Sequence, residues 1–193
     1  MKNVIILGAS GSLASYVINE LEKLDEVQLT LFLRNKRNLQ NVNTAGCTIL
    51  EGDVLDYSKL KDAIEGKDIV YVNLGGNLEA MAKNIVNAMK ETNVKRIIAI
   101  SSIGIYDTPL RPVLIPYRKL ADVIEASGLD YTILRPTWFT SANEVDYELT
   151  KKGEPEKGSV ISQKSLATFI TKIIETPEKY IRENIGINKP DSL

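Results

Sequence analysis

Short apolar runs alternate with segments of helical period along most of the chain. The runs Val4–Leu7, Gln28–Leu33, Thr48–Leu50, Ile69–Asn73, Arg96–Ser101 and Tyr131–Arg135 read as strands. Most are apolar at successive positions, as strands are when helices cover both faces of a parallel sheet. Between them lie stripes with the spacing of one helix face: Leu13, Val17, Leu21, Leu24; then Met81, Ile85, Met89; then Leu120, Val123, Ile124. Leu166, Phe169, Ile170, Ile173 and Ile174 follow the i, i+3, i+4, i+7, i+8 pattern most closely. These stripes are core-facing surfaces and carry no chemistry.

Strand–helix alternation of this kind predicts an α/β fold, a doubly wound parallel sheet in three α/β/α layers. Crossovers should be right-handed, with a ligand crevice at the carboxyl ends of the strands. The alternation lapses after Pro136. The charged, turn-rich stretch Lys151-Lys152-Gly153-Glu154-Pro155-Glu156-Lys157-Gly158 reads as part of a surface excursion over 137–158, near that crevice. From Val160 a strand and a helix resume, so residues 1–193 are expected to form one domain.

The first strand runs directly into Gly8-Ala9-Ser10-Gly11-Ser12-Leu13-Ala14, and the first helical stripe follows. A strand, a glycine turn and a helix bring backbone N–H groups and a helix N-terminus against a phosphate. Gly8 permits the tight turn, Gly11 lets the backbone approach a pyrophosphate, and the small Ala14 lets the helix pack on the strand. Ser10 and Ser12 add hydroxyl donors. The reading is a dinucleotide site, although two glycines alone would also suit a plain turn. Sites for NAD place Asp or Glu about 20 residues beyond the turn. Here the second strand ends in Arg34-Asn35-Lys36-Arg37, without a carboxylate. Arg34 is placed to meet the 2′-phosphate of NADP, with Lys36 or Arg37 assisting. NADP(H) is therefore expected, with NAD(H) and a merely solvated basic loop as the alternatives.

Composition narrows the chemistry. Lysine and arginine number 24 and aspartate and glutamate 25, a formal charge of −1, so no nucleic-acid face is expected. No apolar run approaches the ~20 residues needed to span a bilayer, and no signal-peptide pattern precedes the first strand. The one cysteine, Cys47, reads as a core residue in a reducing, cytoplasmic setting. Histidine is absent, which removes the commonest general base and metal ligand. Acid–base chemistry is left to Tyr, Lys, Ser, Asp, Glu or the cofactor, and no metal is expected.

The glycine turn resembles that of the short-chain dehydrogenase/reductase superfamily, and further segments agree in order. Glu51-Gly52-Asp53-Val54-Leu55-Asp56 is similar to the segment after the third strand whose first Asp faces the adenine. Asn73-Leu74-Gly75-Gly76 stands where these proteins have an N-x-G segment beside the adenine ribose, and Ser101-Ser102 where the active-site serine lies. Ser127-Gly128-Leu129-Asp130-Tyr131-Thr132-Ile133-Leu134-Arg135-Pro136 is the most specific match. It resembles a stretch of the atypical members: the NAD(P)H-binding, NmrA-like proteins and the flavin reductase/biliverdin reductase B-like proteins. The resemblance covers residues 3 to 140 well, and Asn184-Ile185-Gly186-Ile187-Asn188-Lys189-Pro190 also looks like short bacterial members. It implies a Rossmann fold with bound NAD(P) and no metal. Together with the turn and Arg34, it implies cofactor contacts from Gly8, Ala9, Ser10, Gly11, Ser12, Leu13, Asp53, Val54, Leu74, Gly75, Gly76, Ser101, Lys119 and Pro136.

Catalytic members of the superfamily pair a Tyr with a Lys four residues later. Here Tyr117 is followed at that place by Ala121, so the pairing is broken. Lys119, two residues on, points from a different helix face. Tyr106, in the loop after the fifth strand, is expected to overhang the nicotinamide, with Ser102 and Lys119 as its partners. Tyr117 reads equally as a packing residue and Lys119 as a surface lysine. Trp138 and Phe139 stand at the carboxyl end of the sixth strand, either stacked on a planar substrate or plugging the core beneath the excursion. Pro109, Pro112 and Pro116 suggest a stiffened loop over the site. The short stretch after Pro136 argues for a shallow pocket and against a sugar-nucleotide substrate.

Hydride transfer to a flavin or quinone needs no protein acid. The sequence thus predicts NADPH-dependent reduction of a small planar acceptor by a monomer or homodimer. The alternative is an NmrA-like sensor that binds NADP(H) and a protein partner without turnover.

Overall fold

The protein is described by a computed structural model covering residues 1–39 and 42–192. Its ten strands among the described residues are β1 (Lys2–Leu7), β2 (Val27–Leu33), β3 (Thr48–Glu51), β4 (Ile69–Val72), β5 (Arg96–Ile100), β6 (Asp130–Pro136), β7 (Trp138–Thr140), β8 (Glu148–Lys151), β9 (Val160–Ser162) and β10 (Glu183–Asn188). Five α-helices intervene: α1 (Ser12–Leu21), α2 (Tyr57–Ile64), α3 (Leu78–Glu91), α4 (Ile115–Glu125) and α5 (Gln163–Glu175). The main sheet has the order β3-β2-β1-β4-β5-β6-β10-β8. All neighbours in it are parallel except the edge strand β8, which is antiparallel to β10. A small parallel pair, β7 with β9, stands apart.

The double-sided apolarity of the strands is explained by two cores. Along β1, Val4 and Ile6 enter the core that holds α1 and α5, whereas Ile5 and Leu7 enter the core that holds α2, α3 and α4. Side chains of a strand alternate between faces, so each face needs its own helix layer. This is the three-layer α/β/α Rossmann arrangement expected. Polar residues set the helix starts: the side chains of Asp56, Asn77 and Ser162 accept from the backbone amides of Lys59, Ala80 and Ser165.

Three elements escape the hydrophobic pattern. α2 is short and charged, burying Leu60, Ala63 and Ile64. β10 carries Asn184 and Gly186 among its apolar residues and takes its register from β6. β8 lies inside the 137–158 stretch, as does β7; only Thr150 of β8 is buried. The stretch thus contributes an edge strand to the main sheet.

The chain order reverses between β1 and β4. In a doubly wound sheet the crevice outside this switch point is where ligands bind.

Candidate active site: a crevice across the strand ends

The glycine turn leaves little room for side chains. Gly8 adopts φ +87°, and a Cβ there would collide with the Asn73 backbone carbonyl. A Cβ on Gly11 would come within 2.6 Å of Asn73 Nδ2. Gly11 also precedes α1, whose N-terminus has no side-chain cap and no acidic residue in its first turn. The first-turn amides are therefore left for an external acceptor, and the helix dipole favours an anion there. These features fit the pyrophosphate of a dinucleotide.

A cleft of about 200 Å³ opens beside the turn. Gly8, Ser10 and Gly11 form one wall, Phe32, Leu33 and Arg34 a second, and Gly52, Asp53 and Val54 a third; Leu74 and Gly75 close it. Arg34 is exposed and makes no ion pair among the described residues. One oxygen of Asp53 accepts from the Leu55 amide at 2.9 Å, which sets its carboxylate at the rim. Gly52 has no side chain because Phe32 lies where a Cβ would go, 2.6 Å from its ring. The side chains of Ala9 and Leu13 are buried in the α1 core, so only their backbone groups can serve a ligand. Ser12 is exposed at the first position of α1, and Gly76, at φ +96°, lies just before the cap of α3.

A second cleft, of about 340 Å³, continues from the first. The two share Asn73 and Leu74, so together they make one crevice across the ends of β1, β4, β5 and β6. Ser101, Ser102 and Pro136 line the second cleft, with Tyr117, Trp138 and Phe139 around them. Ser101 Oγ donates to the Tyr117 carbonyl at 3.1 Å, tying the end of β5 to the start of α4. Ser102 Oγ donates to the Ile103 carbonyl at 3.1 Å. The hydroxyl of Tyr117 has no hydrogen-bond partner among the described residues. The proline-rich loop supplies Arg111, Val113 and Leu114 to this cleft.

Tyr106 and Lys119 do not line either cleft. Tyr106 belongs to a half-buried polar network behind the second cleft. Its hydroxyl accepts from Asn184 Nδ2 at 2.7 Å and lies 3.4 Å from Glu125 Oε1. Its ring packs under Arg118, Arg135 and Lys152. Burial, followed by the Glu125 charge, raises its pKa, so the phenol stays protonated. Lys119 Nζ meets Glu79 Oε2 at 2.5 Å on the surface between α4 and α3, and this ion pair with that of Lys83 holds the Glu79 carboxyl down at about 2. Cys47 is a free thiol outside both clefts, pushed up to about 11 by burial and by Glu22.

Two contributors were not singled out as site residues in the sequence. Asn73 joins the two clefts, and its signal was its place at the head of the Asn73-Leu74-Gly75 segment. Arg111 had no signal, because a loop residue's direction is not encoded in spacing.

Comparisons with known proteins identify the family. A Rossmann-fold NAD(P)-binding family protein from Shigella flexneri superposes with a TM-score of 0.92 at 48% identity, covering 100% of this chain and 95% of that one. A short-chain dehydrogenase/reductase from Veillonella parvula DSM 2008, solved in complex with NADP, superposes with a TM-score of 0.88 at 27% identity, covering 99% and 96%. Quinone oxidoreductase 2 of Escherichia coli (strain K12) is 28% identical over 141 residues, 71% of this chain and 49% of that protein. The chain spans between 49% and 64% of the length of the first curated relatives it matches. No helix among the described residues is long and apolar enough to cross a membrane. With residues 8–177 matching the family described as NAD(P)H-binding, the chain belongs to the NAD(P)H-binding family of Rossmann-fold, short-chain dehydrogenase/reductase-like proteins.

Proposed function

We propose that the protein is an NADPH-dependent reductase of a small planar acceptor, a quinone or a flavin. The observation that carries this reading is the continuity of the two clefts through Asn73 and Leu74. One end has the uncapped N-terminus of α1 and Arg34, suited to the phosphates of NADP; the other has aromatic and aliphatic walls suited to a flat acceptor. NADPH, when bound, supplies a hydride to the acceptor, and a proton from water completes the reduced product. The residues of the chain have three tasks. The first-turn amides of α1 and Arg34 hold the phosphates, Asn73 and Leu74 line the junction of the two halves, and Trp138, Phe139 and Val113 hold the acceptor flat. The absence of histidine and the displacement of Lys119 toward Glu79 favour an acceptor that needs no protein acid. The likeness to E. coli quinone oxidoreductase 2 and to the NADP-bound Veillonella protein supports the same choice.

The displacement of Lys119 also suits a second reading, a sensor that binds NADP(H) and a protein partner without turnover. Titration with NADPH and NADH, followed by addition of quinones and flavins, separates the two. NADPH oxidation by an acceptor is expected. Tight binding with no oxidation by any acceptor would transfer the assignment to the sensor.

A further inference from the structure

The second cleft carries one formal charge. Among its described lining residues only Arg111 is charged at neutral pH, and the rest are apolar or neutral polar. The guanidinium makes no ion pair and no hydrogen bond among the described residues. The Asp107 carboxylate shares its surroundings beside Gly104, where a Cβ would lie 2.9 Å from Asp107 Oδ2 and 3.1 Å from Arg111 Nη2. Even so, the two side chains do not pair. Arg111 is itself exposed. Gly104, at φ +79°, has no side chain to displace it, and the Gly104 amide is fixed by Glu156 Oε2 at 2.6 Å. The same cleft has large apolar surfaces left to solvent: Trp138 is 74% and Val113 69% exposed.

A planar fork of five donors beside an aromatic wall matches a flat ligand with an anionic substituent. A neutral quinone would fill the apolar part and leave the guanidinium unused. We infer that the acceptor is a planar aromatic carrying a carboxylate, sulfonate or phosphate, with Arg111 as the residue that selects it. The inference rests on the reductase reading for the word acceptor; the anion-selective cleft itself does not.

Trp138 is the one tryptophan of the chain, so its fluorescence reports this cleft directly. Titration of the NADP-loaded protein with anthraquinone sulfonate and with uncharged hydroxymethylanthraquinone measures the preference without turnover. The sulfonate is expected to bind about tenfold tighter or better, the scale of one charge-assisted contact. Arg111→Gln should erase the preference, Arg111→Lys should keep part of it, and NADPH affinity should be the same in all three proteins. Equal affinities for the two probes, or a preference that survives Arg111→Gln, overturns the inference. NADPH oxidation by neutral quinones is scored separately. If it is absent while the sulfonate preference holds, the reductase reading fails and the anion-selective cleft stands.

Discussion

The amide of Gly104 donates to Glu156 Oε2 at 2.6 Å across 52 residues of chain. The other oxygen of Glu156 meets Arg135 Nε at 2.6 Å. One carboxylate therefore ties the loop between β8 and β9 both to the sheet at the end of β6 and to the loop that carries Ser102 and Arg111. Arg135 is 1% exposed, and its Nη1 donates to Asn184 of β10. Removal of Glu156 leaves a buried guanidinium with its amide partner alone. Glu156→Ala is expected to lower stability by about 3 kcal/mol, read from urea unfolding, and Glu156→Gln by less, because the amide still accepts from Gly104. A loss under about 1 kcal/mol for the alanine variant would mean that solvent reaches Arg135 freely.

Gly11→Val is expected to weaken NADPH binding by about a hundredfold or more, about 2.7 kcal/mol, with the far-ultraviolet circular dichroism retained. The backbone angles at Gly11 (φ −71°, ψ 152°) suit any residue, and the added side chain meets the Asn73 side chain and the path of the ligand. Gly8→Ala should behave differently. Its positive φ and the Asn73 carbonyl leave no room, so the fold itself is expected to suffer, by about 1 kcal/mol or more. Unchanged NADPH affinity in Gly11→Val would remove the pyrophosphate from the α1 N-terminus.

Arg34→Glu is expected to turn the NADPH-to-NADH affinity ratio down by about a hundredfold, since a charge-assisted contact is lost and a like charge takes its place. Isothermal titration with each nucleotide measures it. The same ratio in both proteins would make Arg34 a solvated residue.

Glu125 titrates within the Tyr106 network. Burial would raise its pKa, but hydrogen bonds from Lys152 and Asn184 outweigh burial and hold the carboxyl below the usual range. A depressed folded-state pKa stabilises the protein above the unfolded value of about 4.3, and the contribution is lost as pH falls through the folded value. The wild-type urea midpoint should thus fall as pH is lowered from about 5 to 3, and Glu125→Gln should flatten part of that descent. Parallel curves for the two proteins would show that Glu125 has the same pKa folded and unfolded.

The repeat of apolar runs and helical stripes was enough to read the layered sheet, because burial on two faces leaves a pattern that does not depend on what covers it. The glycine turn was legible for a similar reason. Positive φ at Gly8 and the tight approach at Gly11 are local backbone requirements that few residues satisfy. Arg34 was placed by its position at the end of β2. Tyr106 and Lys119 were legible only as residue types in suitable segments. Their directions are set by partners distant in the chain: Asn184 and Glu125 hold Tyr106, and Glu79 holds Lys119. Arg111 and β8 were silent for the same cause.

By itself, then, the amino-acid sequence determined the Rossmann architecture and the glycine turn after β1, since both rest on short-range periodicity and backbone sterics. The tertiary structure decided the far half of the crevice. Which side chains line it, which charge it holds and which tyrosine it excludes follow from hydrogen bonds and ion pairs between segments that the chain keeps far apart.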